Sequence, residues 1–136
     1  NSTNPLLGME YEDLIRGCHL GVFPSAYEPW GYTPLEFLAM GVPAVTSNLA
    51  GFGTYAINLK KNIEKHGLYV VDRDQRPYES AVEQLADQLY AFTGLSRRER
   101  VAQRNRAESL SQSFDWKHLI EHYRKAQDLA VREPNK

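Results

Sequence analysis

Three short apolar runs, separated by helical and turn-rich segments, determine the fold class that this sequence predicts. They span residues 20–23, 42–46 and 68–71. Each is flanked by glycine, proline or serine, which is typical of a short buried strand. Strands that alternate with helices are usually joined in parallel, because each helical crossover returns the chain to the same end of the sheet. The sequence therefore predicts an α/β domain with a parallel sheet.

Helical and turn-rich segments connect these runs. The apolar residues of 11–18 follow a helical spacing, so we predict a short first helix there. A second helix is predicted over about 34–40, with Gly41 as its C-terminal stop. Residues 48–53 are rich in turn formers, and residues 54–65 make a charged connection with some helical character.

From about residue 79 to the C-terminus the pattern is helical only. Ser96 and Glu99 fit a capping box, in which each satisfies an exposed backbone N–H at a helix start. Asp115 is a predicted N-cap for the last helix. At 136 residues the chain fits one domain with its own core. We therefore predict a single domain over 1–136, an α/β sheet with a helical C-terminal extension.

Composition excludes several classes of protein. The net charge is −1, from 16 basic and 17 acidic residues, which argues against a general binder of nucleic acid or membrane surfaces. No apolar run approaches the roughly 20 residues that span a bilayer, and Asn1 to Pro5 lacks a signal-peptide pattern. Cys18 is the single cysteine, so we expect no internal disulfide and a reducing, cytoplasmic location. The chain begins without Met, and we expect it to be a piece of a longer polypeptide.

Two carboxylates, Glu28 and Glu36, lie eight residues apart across a predicted strand-loop-helix junction. The helix start carries Thr33 as predicted N-cap, Pro34 at the first helical position and Glu36 at the third. Local pattern alone favours a structural capping box as the role of Glu36. Glu28 sits before a proline in the loop, where a carboxylate at a strand's carboxyl end is more often functional.

Backbone amides are predicted to gather between these carboxylates. Gly31, Tyr32 and Thr33 precede or open the helix, where free N–H groups and the positive end of the helix dipole attract phosphate. Gly31 also allows a close approach of the backbone to a ligand. The loop is therefore a candidate phosphate site.

The surrounding sequence resembles the C-terminal nucleotide-binding domain of eukaryotic-type glycogen synthases. The resemblance is strongest from Tyr11 through Gly53, including the words RGCHLGVFPS, YEPWGYTP and GFG, and it continues through Asp72, the arginine cluster near residue 100 and the DWK triplet at 115–117. It covers nearly the whole chain. It implies the second of two Rossmann-like domains of a GT-B glycosyltransferase, with the N-terminal domain absent from this sequence.

The resemblance also implies roles for individual residues. Glu28 matches a glutamate near the transferred glucose, where it acts as an electrostatic stabiliser and positioning group. Glu36 matches the glutamate that hydrogen-bonds the donor ribose, and Tyr11 matches an aromatic that stacks on uracil. From periodicity alone, Tyr11 is simply part of an apolar helix face. The loop residues expected to contact the donor and its diphosphate are Trp30, Gly31, Tyr32 and Thr33.

The implied reaction moves glucose from UDP-glucose to the 4-hydroxyl of a growing α-1,4-glucan with retention. We expect the chain alone to be inactive, because the acceptor site and basic groups facing the diphosphate belong to the other domain. No metal or other cofactor is expected, because backbone amides and basic side chains hold the phosphates. Asp72-Arg73-Asp74 matches the D-x-D pattern of metal-dependent transferases, but we interpret it as a solvated turn.

Five arginines lie within ten residues of the C-terminal half. Arg97, Arg100 and Arg104 share one helical face, where like charges repel unless an anion offsets them. A solvated helix face is the reading from sequence alone. The resemblance instead implies a site for the activator glucose 6-phosphate on these three arginines. Ser109 stands where the family usually has a sixth arginine, which weakens the case for a complete phosphorylation-sensing surface.

The sequence is also compatible with two other functions. One is a different retaining GT-B transferase with another donor, and the other is a stand-alone module that binds a nucleotide or sugar phosphate and regulates a partner. The leading interpretation implies UDP-glucose, glucose 6-phosphate and, through the full-length enzyme, a glycogen acceptor as ligands. It further implies a homo-oligomeric parent, with no nucleic-acid or membrane partner.

Overall fold

A computed structural model of the chain describes residues 8–132, so the segment from Asn1 to Pro5 lies outside the described part. Three strands form one sheet: β1 (Gly21–Val22), β2 (Ala44–Ser47) and β3 (Leu68–Val71). They are parallel and lie side by side in chain order. The predicted α/β class with a parallel sheet is therefore confirmed.

Six α-helices and two short 3₁₀ helices surround this sheet within residues 8–132. In the register of the sheet, Gly21 of β1 lies beside Ala44 of β2, and Ala44 lies beside Leu68 of β3. The 3₁₀ helices are Ile63–His66 and Gln112–Phe114. The α-helices are α1 (Tyr11–Gly17), α2 (Tyr32–Ala39), α3 (Gly51–Leu59), α4 (Tyr78–Thr93), α5 (Arg97–Ser111) and α6 (Trp116–Arg132).

Side chains alternate across a sheet, and all four residues of β2 are buried, so this central strand is covered on both faces, whereas Val22 of β1 is exposed. One face supplies Ala44 and Leu68 to the larger core, which also receives residues from α1, α2, α3 and α5. The opposite face supplies Val45 and Val71, which pack with Ala81 of α4 in a smaller core. This layering leaves the carboxyl ends of the strands and the loops that follow them at one edge.

The start of α2 differs from the prediction. The helix begins at Tyr32, two residues before Pro34, and its N-cap is Gly31 with φ 102° and ψ 81°. Thr33 is inside the helix and makes no capping hydrogen bond, so the predicted capping box with Glu36 is wrong. The reason is that glycine adopts the left-handed conformation at little cost and turns the chain into the helix earlier.

The start of α3 also differs, because the helix begins at Gly51 inside the segment predicted as turn. A Cβ atom on Gly51 would lie 2.1 Å from the Pro29 oxygen, and one on Gly53 would lie 2.1 Å from the Ser47 oxygen. These glycines let the helix pack directly on neighbouring backbone. Close packing therefore outweighs the poor helix propensity of glycine here.

Two predicted helix starts in the C-terminal extension are present. Ser96 and Glu99 form the complete capping box, with the Glu99 carboxylate accepting the Ser96 N–H at 2.7 Å. The Asp115 carboxylate accepts the Lys117 N–H at 2.9 Å at the start of α6. Within residues 8–132, none of the helices combines the length and apolar character needed to cross a bilayer.

Candidate functional site

The loop between β1 and α2 is held against the segment that follows β2. The Glu28 N–H donates to the Leu49 oxygen at 3.3 Å, and the Gly51 N–H donates to the Glu28 oxygen at 3.0 Å. The Phe52 N–H donates to the Trp30 oxygen at 2.7 Å. These bonds place the loop at the carboxyl edge of the sheet, which is where ligands of α/β proteins bind.

Glu28 and Gly31 pack on one another within this loop. Glu28 is half-buried, and Gly31 is buried. A Cβ atom on Gly31 would lie 3.2 Å from the Glu28 Cγ atom, which is tighter than ordinary van der Waals contact. Any side chain at position 31 would therefore displace the Glu28 side chain, so the pair sets where that carboxylate lies.

The first turn of α2 presents backbone donors beside Glu28. The N–H groups of Tyr32 and Thr33 belong to the first turn, which has no intrahelical acceptors for them. Pro34 has no N–H, so these two groups and that of Gly31 are the donors available at this end. Acidic side chains are lacking in the first turn of α2. This helix end therefore remains suited to an anion.

Tyr11 and Glu36 meet across the first two helices. The Tyr11 hydroxyl donates to the Glu36 Oε2 atom at 3.0 Å, although the residues are 25 positions apart. Partial burial, the hydrogen bond to Glu36 and the charge of Glu36 raise the pKa of Tyr11. The phenol, which is already protonated at neutral pH at its ordinary pKa, is thus further stabilised as a hydrogen-bond donor. The structure thus brings together the two residues that the resemblance assigns to the nucleoside.

Trp30 faces an aromatic cluster. Its ring centroid lies 5.8 Å from that of Phe52 and 5.8 Å from that of Tyr55. It borders a cavity of 650 Å³ whose other walls come from α2, α3, α6 and the 3₁₀ helix Gln112–Phe114. It also borders an open depression of 610 Å³ that contains Glu28 and Pro29. The Trp30 side chain therefore packs the loop against α3, and this structural role explains its position without any contact with a donor substrate.

The Asp72 segment is a brace between strand ends. The Asp72 carboxylate accepts hydrogen bonds from Arg76 and, at 2.7 Å, from Asn48, and both lower the pKa of Asp72. The Arg73 guanidinium donates to the Pro24 oxygen at 2.6 Å, so the ends of β1 and β3 are tied together. The turn itself lies at Asp74 and Gln75, and the Asp72 side chain is 41% exposed, so these contacts brace the predicted solvated turn and do not replace it. Within residues 8–132, groups of three or more potential metal-ligating side chains are absent.

The arginine cluster divides into groups with different surroundings. Arg97, Arg100 and Arg104 line one cavity of 260 Å³, and His19 lies on its wall. Arg106 points elsewhere, because its Nε atom donates to the Lys65 oxygen at 2.6 Å. The sequence contained no local sign that His19 reaches this cavity, since it precedes β1, far from α5 along the chain.

Arg104 also has a structural role. Its two terminal nitrogens donate to the Cys18 oxygen at 3.1 Å and to the Arg16 oxygen at 3.3 Å. These carbonyls belong to the C-terminal end of α1, where a cation is favourable. The same arginine therefore lines the cavity and anchors the helix that carries Tyr11.

Comparison with known proteins adds an independent observation. Residues 1–135 match the family model described as glycogen synthase. The chain is 49% identical over 134 residues to glycogen (starch) synthase isoform 1 of Saccharomyces cerevisiae. It is 50% identical over 132 residues to glycogen (starch) synthase of Neurospora crassa, and 50% identical over 131 residues to the human liver glycogen (starch) synthase.

These matches cover nearly all of the chain but a small part of each relative. They include 97% of the chain for the yeast and Neurospora proteins and 96% for the human protein. The chain spans 19% of the length of each of these three relatives. The segment matched by the family model includes the loop, the helix α2 and the arginine helix α5. The chain therefore belongs to the glycogen synthase family.

Proposed function

We propose that this chain is the donor-binding part of an enzyme that transfers glucose, with retention, from UDP-glucose to the 4-hydroxyl of a growing α-1,4-glucan. One observation carries the proposal: Tyr11, Glu36 and the Glu28–Gly31 pair lie around a single helix start at the carboxyl edge of the sheet. A nucleotide sugar has a base, a ribose, a diphosphate and a hexose, and this edge offers a group suited to each.

The proposed roles follow from the chemistry of these groups. The Tyr11 ring stacks on uracil, and the Glu36 carboxylate accepts hydrogen bonds from ribose hydroxyls. The amides at the start of α2 bind the diphosphate, whose negative charge grows as the sugar departs. Glu28 lies nearest the hexose, and its negative charge stabilises the positive charge that develops on the sugar ring.

The acceptor site and further basic groups come from the remainder of the parent protein in this proposal. The present chain alone is therefore expected to transfer no glucose. Incubation with labelled UDP-glucose and glycogen tests this expectation, and incorporation of label by the chain alone would contradict it. The proposed chemistry uses no divalent metal, so EDTA is expected to leave UDP binding unchanged.

Calorimetric titration with UDP tests donor binding directly. The unmodified chain is expected to bind UDP more tightly than ADP or GDP, and Glu36→Ala is expected to lose most of this affinity. Glu83→Ala, an exposed substitution on α4, is the matched control and should bind UDP normally. Absence of UDP binding by the unmodified chain would refute the proposed function. A preference for ADP or GDP would instead favour another GT-B transferase.

A second binding activity is supported by the cavity beside α5. Three arginines and His19 line a cavity of 260 Å³ together with Pro43, Phe92 and Val101, and the cationic part of this lining suits the phosphate of a small sugar. We propose glucose 6-phosphate as the ligand and an increase in enzyme activity as its effect in the parent protein. Arg100→Ala is expected to abolish binding of glucose 6-phosphate, whereas Arg98→Ala, on the same helix but outside the cavity lining, should not. Equal affinities of the two variants would exclude this site.

A further inference from the structure

We infer that the Tyr11 hydroxyl positions the Glu36 carboxylate for the ribose of the donor and thereby favours ribonucleotides over deoxy analogues. The inference rests on the proposed function and deepens it. Ring stacking needs only the aromatic face of Tyr11 and does not use the hydroxyl group. In the structure, the hydroxyl instead forms a hydrogen bond with Glu36.

The contact joins two exposed side chains on different helices. Tyr11 is the first residue of α1, and Glu36 is the fifth residue of α2. The hydroxyl lies 3.0 Å from the Glu36 Oε2 atom. Within the described residues, Glu36 shows no second side-chain partner that would hold its carboxylate. An exposed glutamate otherwise samples several rotamers, and fixing one before the ligand arrives reduces the entropy lost on binding.

The bond leaves Glu36 able to bind a ligand. A carboxylate has about four lone-pair positions, and the phenol occupies one of them. The remaining positions can accept hydrogen bonds from the 2′- and 3′-hydroxyls of a ribose. The phenol is protonated at neutral pH, so it donates to one position and leaves the others to the ribose hydroxyls.

Tyr11 itself stands on a fixed support. Ile15 of α1 is 1% exposed in the larger core, and Arg104 holds the carbonyl oxygens at the end of the same helix. The backbone that carries Tyr11 is therefore held in place, and the hydroxyl reaches Glu36 on α2 from it. A mobile tyrosine could not restrict the glutamate in this way.

The competing interpretation is that the same contact blocks the nucleotide site until it breaks. If the Tyr11–Glu36 bond had to break before the nucleotide entered, Tyr11→Phe would bind UDP more tightly than the unmodified chain. If the bond positions the carboxylate, the same variant binds UDP more weakly. The sign of the change therefore separates the two interpretations.

The experiment measures dissociation constants for UDP and for 2′,3′-dideoxy-UDP by calorimetry. Tyr11→Phe keeps the ring and is expected to weaken UDP binding about three- to tenfold, the worth of one hydrogen bond. Its affinity for the dideoxy analogue should equal that of the unmodified chain, because Glu36 then has no ribose hydroxyl to bind. The double variant with Glu36→Gln should be no weaker for UDP than Glu36→Gln alone. Tyr90→Phe, an exposed position on α4, is the matched control.

Three results would overturn the inference. The first is unchanged or tighter UDP binding by Tyr11→Phe while Glu36→Gln still weakens it, which leaves the proposed function intact. The second is an equal loss for UDP and the dideoxy analogue, which assigns the effect to general structure. The third is no UDP binding by the unmodified chain, in which case the inference fails together with the proposed function.

Discussion

Arg104 donates a hydrogen bond of 3.1 Å to the backbone oxygen of Cys18, so α5 holds the end of α1. The second nitrogen of the same guanidinium reaches the Arg16 oxygen at 3.3 Å. A phosphate in the neighbouring cavity would therefore meet an arginine that is already fixed in direction. This shared residue connects the proposed sugar-phosphate site with the helix that carries Tyr11.

Removal of this arginine is expected to destabilise the chain. Arg104→Ala deletes one partly buried and one exposed charge-assisted hydrogen bond to backbone carbonyl groups, so we expect the free energy of unfolding to fall by about 1–2 kcal/mol. Urea unfolding followed by circular dichroism measures the change. Arg98→Ala, exposed on the same helix, should be close to neutral. Equal stabilities of the two variants would show that the contacts to α1 are unimportant.

The elements that sequence predicted well are those set by local pattern. Residues 68–71 were predicted as a strand and form β3, and the Ser96–Glu99 capping box is present as predicted. Both depend on residues close together in the chain. The predicted start of α2 at Pro34 is two residues late, because Gly31 adopts a left-handed conformation that starts the helix at Tyr32. The local side-chain pattern around Thr33 and Pro34 gives no sign of this earlier start.

The parts of the site that could not be predicted depend on distant contacts. The Tyr11–Glu36 bond joins residues 25 positions apart, and the Arg104–Cys18 bond joins residues 86 apart. Periodicity gives the face of a helix on which a residue lies, but not the neighbour that the fold brings to it. His19 lies at the arginine cavity for the same reason, because the packing of α5 against α2 and the 3₁₀ helices brings the arginines to it.

A methyl group at Gly51 is expected to disturb both fold and site. Gly51→Ala would put its Cβ atom 2.1 Å from the Pro29 oxygen, so the loop carrying Glu28 must move. We expect a loss of about 1–3 kcal/mol in unfolding free energy and weaker UDP binding. Gly17→Ala is the control, because a Cβ atom there meets nothing within 4 Å. Unfolding and UDP titration of both variants provide the test, and similar behaviour of the two would contradict the close-packing argument.

Asp72 is expected to make stability depend on acid pH. Its hydrogen bond from Arg76, with the bond from Asn48, lowers its pKa from the ordinary value of 3.8. A carboxyl group of this kind stabilises the fold above its unfolded pKa, and the contribution is lost as pH falls through the lower folded pKa. Asp72→Asn should therefore show a smaller drop in stability between pH 5 and pH 2.5 than the unmodified chain. Asp87→Asn, exposed on α4, is the control in the same urea titrations, and an unaltered drop in Asp72→Asn would count against this role.

Phe114 is expected to connect the C-terminal helix to the rest of the domain. Its side chain is 3% exposed, and its ring centroid lies 4.7 Å from that of Phe52 and 6.0 Å from that of Tyr55. Phe114→Ala should lower the free energy of unfolding by about 3–5 kcal/mol, because it removes buried area and leaves a cavity between α3 and α6. Phe114→Leu refills most of that space and should recover much of the loss. Chemical unfolding of both variants decides the point: if alanine and leucine are equally destabilising, specific ring packing holds α6 in place, and if neither is destabilising, α6 does not depend on this cluster.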